Sequence, residues 1–352
     1  MVGLTLGHSR FGLGLTLIDS LDTMLVMNLK EEFTEAKQWV EEHLDFNINK
    51  DVNLFETTIR VLGGLLSTYH LSGEKVFLDK ARDLAGGSPV RSPEHVASTL
   101  LFPDRLMASF DSPSGIPFSD VNLKTRTGHA PKWSPDSSTS EVTTVQLEFR
   151  DLSRVTGDSK YEEAVSKVSQ MVHKLPKTNG LVPIFINAMT GKFRSYSTIT
   201  LGARGDSYYE YLLKQWIQTG KTLDYLKADY NESMEGVMTR LVQKTYPSGY
   251  TFIGELLSGG KDFKPKMDEL VCFLSGTLAL GHHHGLPKQH LKLAEELAHT
   301  CYLTFARQST SLAPEISYFN TVKDSSKEDI NVKVSRDHTY FHTIYFPFVI
   351  WM

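Results

Sequence analysis

The 352 residues carry 37 Lys and Arg against 41 Asp and Glu, a net charge of −4 with the signs interspersed. That balance offers no basic field for holding a phosphate backbone, which excludes nucleic acid as the expected partner. With 40% hydrophobic residues, the chain can bury a large core without metals or a disulfide framework, and disorder over most of its length is excluded.

No stretch reaches the roughly 18 consecutive apolar residues of a membrane span. The opening residues Met1 to His8 lack the charged start and apolar middle of a signal peptide, so no anchor or export signal is expected in this stretch. Taken in chain order, apolar residues at helical spacing predict helices at about 12–27, 30–44, 53–71, 75–84, 138–155, 160–173, 205–219, 222–243, 266–280 and 288–305. In the second of these, Phe33, Ala36 and Val40 share one face with charges opposite.

After the fourth helix, the Gly-, Pro- and Ser-rich stretch 85–103 predicts an exposed insert. Gly180 to Asn187 is the clearest strand candidate, and short strands are expected near 181–197. The last residues, 341–352, read as an aromatic tail unrelated to the rest. The expected domain is therefore a single all-α unit over 1–340.

One local pattern recurs where helix gives way to helix: Ser72-Gly73-Glu74, Thr156-Gly157-Asp158 and Thr219-Gly220-Lys221, each followed by an aromatic residue and an alanine. Glycine-capped hairpins at uneven spacing fit a toroid of helical hairpins, whose rim loops vary in length, better than a fixed-period solenoid. Unrelated hairpins ending in Thr-Gly are the alternative.

Cys272 and Cys301 lie on two expected helices, with the turn Gly281 to Pro287 about midway between them. At about 1.5 Å rise per residue, antiparallel arms would bring the sulfurs level, so a bridge is geometrically allowed. Two buried free thiols remain the other reading. The adjacent His282, His283 and His284 diverge on a tight turn and are not expected to hold a metal. Asn231-Glu232-Ser233 is a glycosylation sequon, consistent with a lumenal chain.

Acids embedded in apolar helices are the chemical anomaly. Glu56 and Arg60 stand at i and i+4, Glu141 opens another helix, and Arg204 and Asp206 stand together where a third begins. Each alone reads as a cap or a helix ion pair. Together, on helix ends that converge on one cavity, paired carboxylates with arginines and aromatics are the equipment of glycoside hydrolysis or of a sugar-binding cleft.

The strings FGLGLTLIDSLDTM from Phe11, VNLFETTIRVLGGLL from Val52, LGARGDSYYEY from Leu201 and LVCF from Leu270 resemble the class I α-1,2-mannosidases, glycoside hydrolase family 47. The match runs in order from Phe11 to about Ile316. What the resemblance implies is an (α/α)7 barrel with a few short strands and calcium at its floor. It also implies inverting removal of terminal α-1,2-linked mannose from high-mannose N-glycans, serving glycoprotein processing and quality control. The location it implies is the endoplasmic reticulum or Golgi lumen, with a membrane anchor only in a full-length form and a monomeric state.

By resemblance, Glu56 is the proton donor and Asp206 a second catalytic acid, Arg60, Glu141 and Arg204 line the sugar subsites, and Cys272 and Cys301 form the family's disulfide. Glu269 stands where close relatives have a histidine. The family's Leu-Arg-Pro-Glu motif, which holds its base, and the threonine that binds calcium are missing from these 352 residues. The chain is accordingly read as incomplete, binding no calcium and turning over no substrate. A non-catalytic mannose-binding quality-control protein of the same fold is the alternative.

Overall fold

Helices form where the 3.6-residue pattern persists, and they stop where glycine takes a left-handed turn. The computed structural model describes residues 13–86, 105–323 and 327–332. Among the described residues the long helices come in five consecutive pairs. Leu15–Asp19 and Leu21–Val26 lie against Lys30–His43 in the first. The second sets Leu54–Glu56, Thr57–Leu62 and Gly63–Ser72, one unbroken helix, against Lys75–Ala85. Thr139–Thr143 and Gln146–Thr156 face Lys160–Lys174 in the third, and Asp206–Gln218 faces Asp224–Arg240 in the fourth. The fifth packs Phe273–His283 on Lys288–Ala306.

First members also touch one another in sequence: Gly63–Ser72 meets Gln146–Thr156, which meets Asp206–Gln218, which meets Phe273–His283. They form an inner wall, and the second members lie outside it. Residues Gln146 to Ser153 are buried on every face, as an inner helix must be. This is the toroid of helical hairpins that the sequence predicts.

Gly73, Gly157 and Gly220 hinge three of the pairs at φ of 72°, 72° and 64°, and a Cβ added at any of them would meet nothing within 4 Å. The repeated glycine is there for its backbone angle, not for space. At Gly64 the reason is the opposite: a Cβ would come 2.9 Å from the Ile18 carbonyl, so glycine lets the first pair close on the second.

Short antiparallel sheets gather where inner helices begin. Asp51–Asn53, paired with Asp120–Asn122 and through it with Thr127–His129, runs straight into Leu54. Asp136–Ser138, paired with Phe185–Asn187, runs into Thr139, and Lys266–Asp268, paired with Ile316–Phe319, runs into Glu269. The strand expected near 185 is present, but the other small sheets were not foreseen. Strands of three residues are too short to display a period of two.

Two predicted helix limits need correction. Residues 266–268 form a strand and Glu269–Cys272 a 3₁₀ turn, so the helix starts only at Phe273. The helix expected to reach 243 stops at Arg240, and Val242–Lys244 pairs with Thr251–Ile253. Helix Lys75–Ala85 runs into the start of the expected insert, the rest of which lies outside the described residues from 87 to 104, as does the tail 341–352. Cys272 and Cys301 are joined across the fifth pair, with their Cα atoms 6.0 Å apart, and no cysteine is free.

Candidate active site

The sheets present the first turns of the inner helices along one rim, and the predicted acids stand there. Glu56 is the third residue of its helix, behind an Asn53 cap whose Oδ1 accepts from Glu56 N–H at 2.8 Å. Glu141 is likewise third, behind a Ser138 cap. Asp206 is the first residue of the fourth inner helix, where the unpaired N–H groups favour an acid. In a capping box the third-position glutamate turns back to its cap. Here Glu56 instead accepts from Arg60 Nε at 2.6 Å, and Glu141 accepts from Asn53 Nδ2 at 3.1 Å.

Arg60 also reaches Asp19 Oδ2, at 3.3 Å, from the Thr57–Leu62 stretch, where the helix widens to π geometry. Such widenings occur often at functional sites. Burial pushes the Asp19 carboxyl above its usual value, with Arg60 opposing.

Glu141 brings the groups together electrostatically. Burial raises its pKa, Asn53 and Arg204 lower it, and the charges of Glu56 and Asp120 raise it. Asp206 hydrogen-bonds its neighbour Ser140, and burial pushes its pKa up to about 7. Glu56, Arg60, Glu141 and Arg204 thus form one electrostatically connected cluster, and Asp206 adjoins it through Ser140, the residue before Glu141.

Arg204 and Asp206 depend on a tight turn. Arg204 adopts φ of 73°, a left-handed angle rare for a residue with a Cβ. Its carbonyl accepts from Ser140 N–H at 2.9 Å, and Asp206 N–H donates to Gly202 at 3.0 Å. Asp268 Oδ2 accepts from Ala203 N–H at 3.2 Å and lies 2.2 Å from where a Cβ on Gly202 would be. Lys266 in turn holds Asp268 and the buried Glu255, at 3.3 and 3.1 Å.

Sequence reasoning missed several parts of this rim. Trp133 is 61% exposed, with the Arg204 guanidinium 4.6 Å from its ring centre and Phe185 beside it. This gives an apolar face of the kind that packs on sugar rings. Asn53 and Ser138 carry a legible signal, a capping residue three positions before each glutamate. No local pattern marks Trp133 or Asp268.

Glu269, the expected histidine position, is buried with neither carboxylate oxygen hydrogen-bonded, and burial raises its pKa. The sequon requires correction. Ser233 is fully buried in helix Asp224–Arg240 and donates to the Gly180 carbonyl at 2.8 Å, so this is not the surface loop a glycan acceptor uses. Among the described residues, no three His, Cys, Asp or Glu side chains are placed to hold a metal ion.

The profile of glycosyl hydrolase family 47 matches residues 5–87 and 94–342. The human endoplasmic reticulum mannosyl-oligosaccharide 1,2-alpha-mannosidase is 53% identical over 329 residues, 93% of this chain and 44% of the human protein. The Schizosaccharomyces pombe protein of the same name is 39% identical, over 94% of this chain and 63% of its own length. The chain therefore spans about half the length of the curated relatives it matches.

A solved alpha-1,2-mannosidase from Trichoderma reesei superposes at a TM-score of 0.74, over 89% of this chain and 64% of that one, at 22% identity. That likeness shows the fold, an (α/α)7 barrel with a few short strands, of which the described residues form five helix pairs. With the profile spanning nearly all of its length, the chain belongs to glycosyl hydrolase family 47.

Proposed function

We propose that the rim cluster is the site of an α-1,2-mannosidase that acts on terminal α-1,2-linked mannose of high-mannose N-glycans. The supporting observation is the convergence of Glu56, Glu141 and Asp206 with Arg60 and Arg204 where three consecutive inner helices begin.

Glycoside inversion needs one carboxylic acid to protonate the leaving oxygen and one carboxylate to activate water on the opposite face of the sugar. Asp206, which burial keeps protonated to about pH 7, can hold such a proton, and Glu56, held by Arg60, is the family's donor by resemblance. Arg204, Glu141 and the exposed Trp133 ring are the groups available to hold the sugar. By resemblance, the base belongs to a Leu-Arg-Pro-Glu motif, which is not among these 352 residues.

The names of the relatives and the Cys272–Cys301 bridge support a lumenal site of action in N-glycan processing. A non-catalytic, mannose-binding role shares the same cluster. The chain is passed over immobilised high-mannose glycan, then incubated with α-1,2-linked mannobiose, with and without calcium, while free mannose is measured. Mannose-dependent retention supports the site. Release of mannose by these residues alone would overturn the assignment of the base, and absence of retention would overturn the site.

A further inference from the structure

We infer that Asn53 is a positioning residue of this site, a single amide that both sets the helix presenting Glu56 and tethers the carboxylate of Glu141. The inference rests on the sugar-site reading above and adds the device that fixes two of its acids relative to each other.

Asn53 stands at the junction between strand Asp51–Asn53 and helix Leu54–Glu56. Its Oδ1 accepts from Glu56 N–H at 2.8 Å, which caps the helix. That bond fixes which way round the amide sits and leaves Nδ2 to donate to Glu141 Oε2 at 3.1 Å, across 88 residues of sequence. The ladder sets Asp120 directly opposite Asn53, and Asp120 also hydrogen-bonds the Asn53 side chain. An amide offers an acceptor and two donors. Aspartate would cap as well but could not donate, serine would cap but is too short to tether, and alanine would do neither.

Five influences act on Glu141: burial and the charges of Glu56 and Asp120 raise its pKa, while Asn53 and Arg204 lower it. Loss of a hydrogen bond to a charged group corresponds to about one pH unit in its titration.

The test uses the full chain with 13C-labelled glutamate, followed by NMR as a function of pH, the Glu141 signal being identified by Glu141→Gln. In Asn53→Ser the thermal midpoint is expected to stay close to that of the parent, while the Glu141 titration midpoint rises by about one pH unit. Asn53→Asp also keeps the cap and should raise that midpoint further, since it places a like charge beside Glu141. Asn53→Ala should lower the thermal midpoint as well. The pH dependence of mannobiose binding should follow the Glu141 midpoint in each variant. An unmoved Glu141 midpoint in both Asn53→Ser and Asn53→Asp, with sugar binding intact, refutes the tether alone. Failure of the parent chain to bind mannobiose refutes the proposed function and the positioning role together.

Discussion

Arg204 holds a left-handed backbone angle of 73° in a turn packed so closely that its neighbour Gly202 has no room for a Cβ. Strain at a non-glycine residue persists when the side chain is needed there. Arg204→Gly is therefore expected to leave the thermal midpoint unchanged or slightly higher, since glycine relieves roughly 1 kcal/mol of strain. The same variant should weaken mannobiose binding at least about tenfold, the loss of a charge-assisted contact. Binding retained at full strength would make Arg204 a turn residue only.

Glu148, one helix turn or more below the rim, is buried against Tyr211, which donates to it at 3.0 Å, and burial pushes its pKa up to about 7. From about pH 4.5 to 7 the folded chain keeps a proton that the unfolded chain has released, so stability falls as pH rises through that window, by up to roughly 3 kcal/mol. Asp206 adds a slope of the same sign. Glu148→Gln should flatten the difference between urea midpoints measured at pH 5 and pH 8, and an unchanged difference would contradict this. The acids themselves were legible because a carboxylate in an apolar helix stands out in sequence. Trp133 was not, since an exposed tryptophan becomes informative only once Arg204 and Phe185 are seen against it.

Elements were legible in proportion to their length. The helices from 30 to 43 and from 288 to 306 bury a regular stripe, and their sequence periods show it. The glycine hinges were legible because only the left-handed angle requires them. The start of the fifth pair was misread: Lys266, Met267 and Asp268 belong to a sheet closed by Ile316–Phe319, a partner some 50 residues away that no local window contains. That pair is also where the bridge lies. Cys272 and Cys301 are 29 residues apart, and a loop of that length stabilises by roughly 3 kcal/mol. Reduction, or Cys301→Ser, should lower the urea midpoint by a corresponding amount. An equal midpoint in oxidised and reduced chains would show that the hairpin holds without it.

At the scale of the whole molecule, a wall of inner helices brings residues from 56 to 206 to one rim because each helix begins at the same end of the wall. Periodicity predicts the hairpins, but not which end of each carries the acids. The motifs around Glu56, Arg204 and Asp206 marked the residues of the rim, and the fold explains why residues so distant in sequence meet. The measurement that tests this most directly is calorimetric titration of the full chain with α-1,2-linked mannobiose, with the α-1,6-linked isomer in parallel. The account predicts saturable one-to-one binding of the α-1,2 isomer, lost in Glu141→Gln and Arg204→Gly, with the α-1,6 isomer bound at least about tenfold more weakly, a difference of about 1.4 kcal/mol. Heats of dilution alone, or equal binding of both isomers by parent and variants, would contradict it.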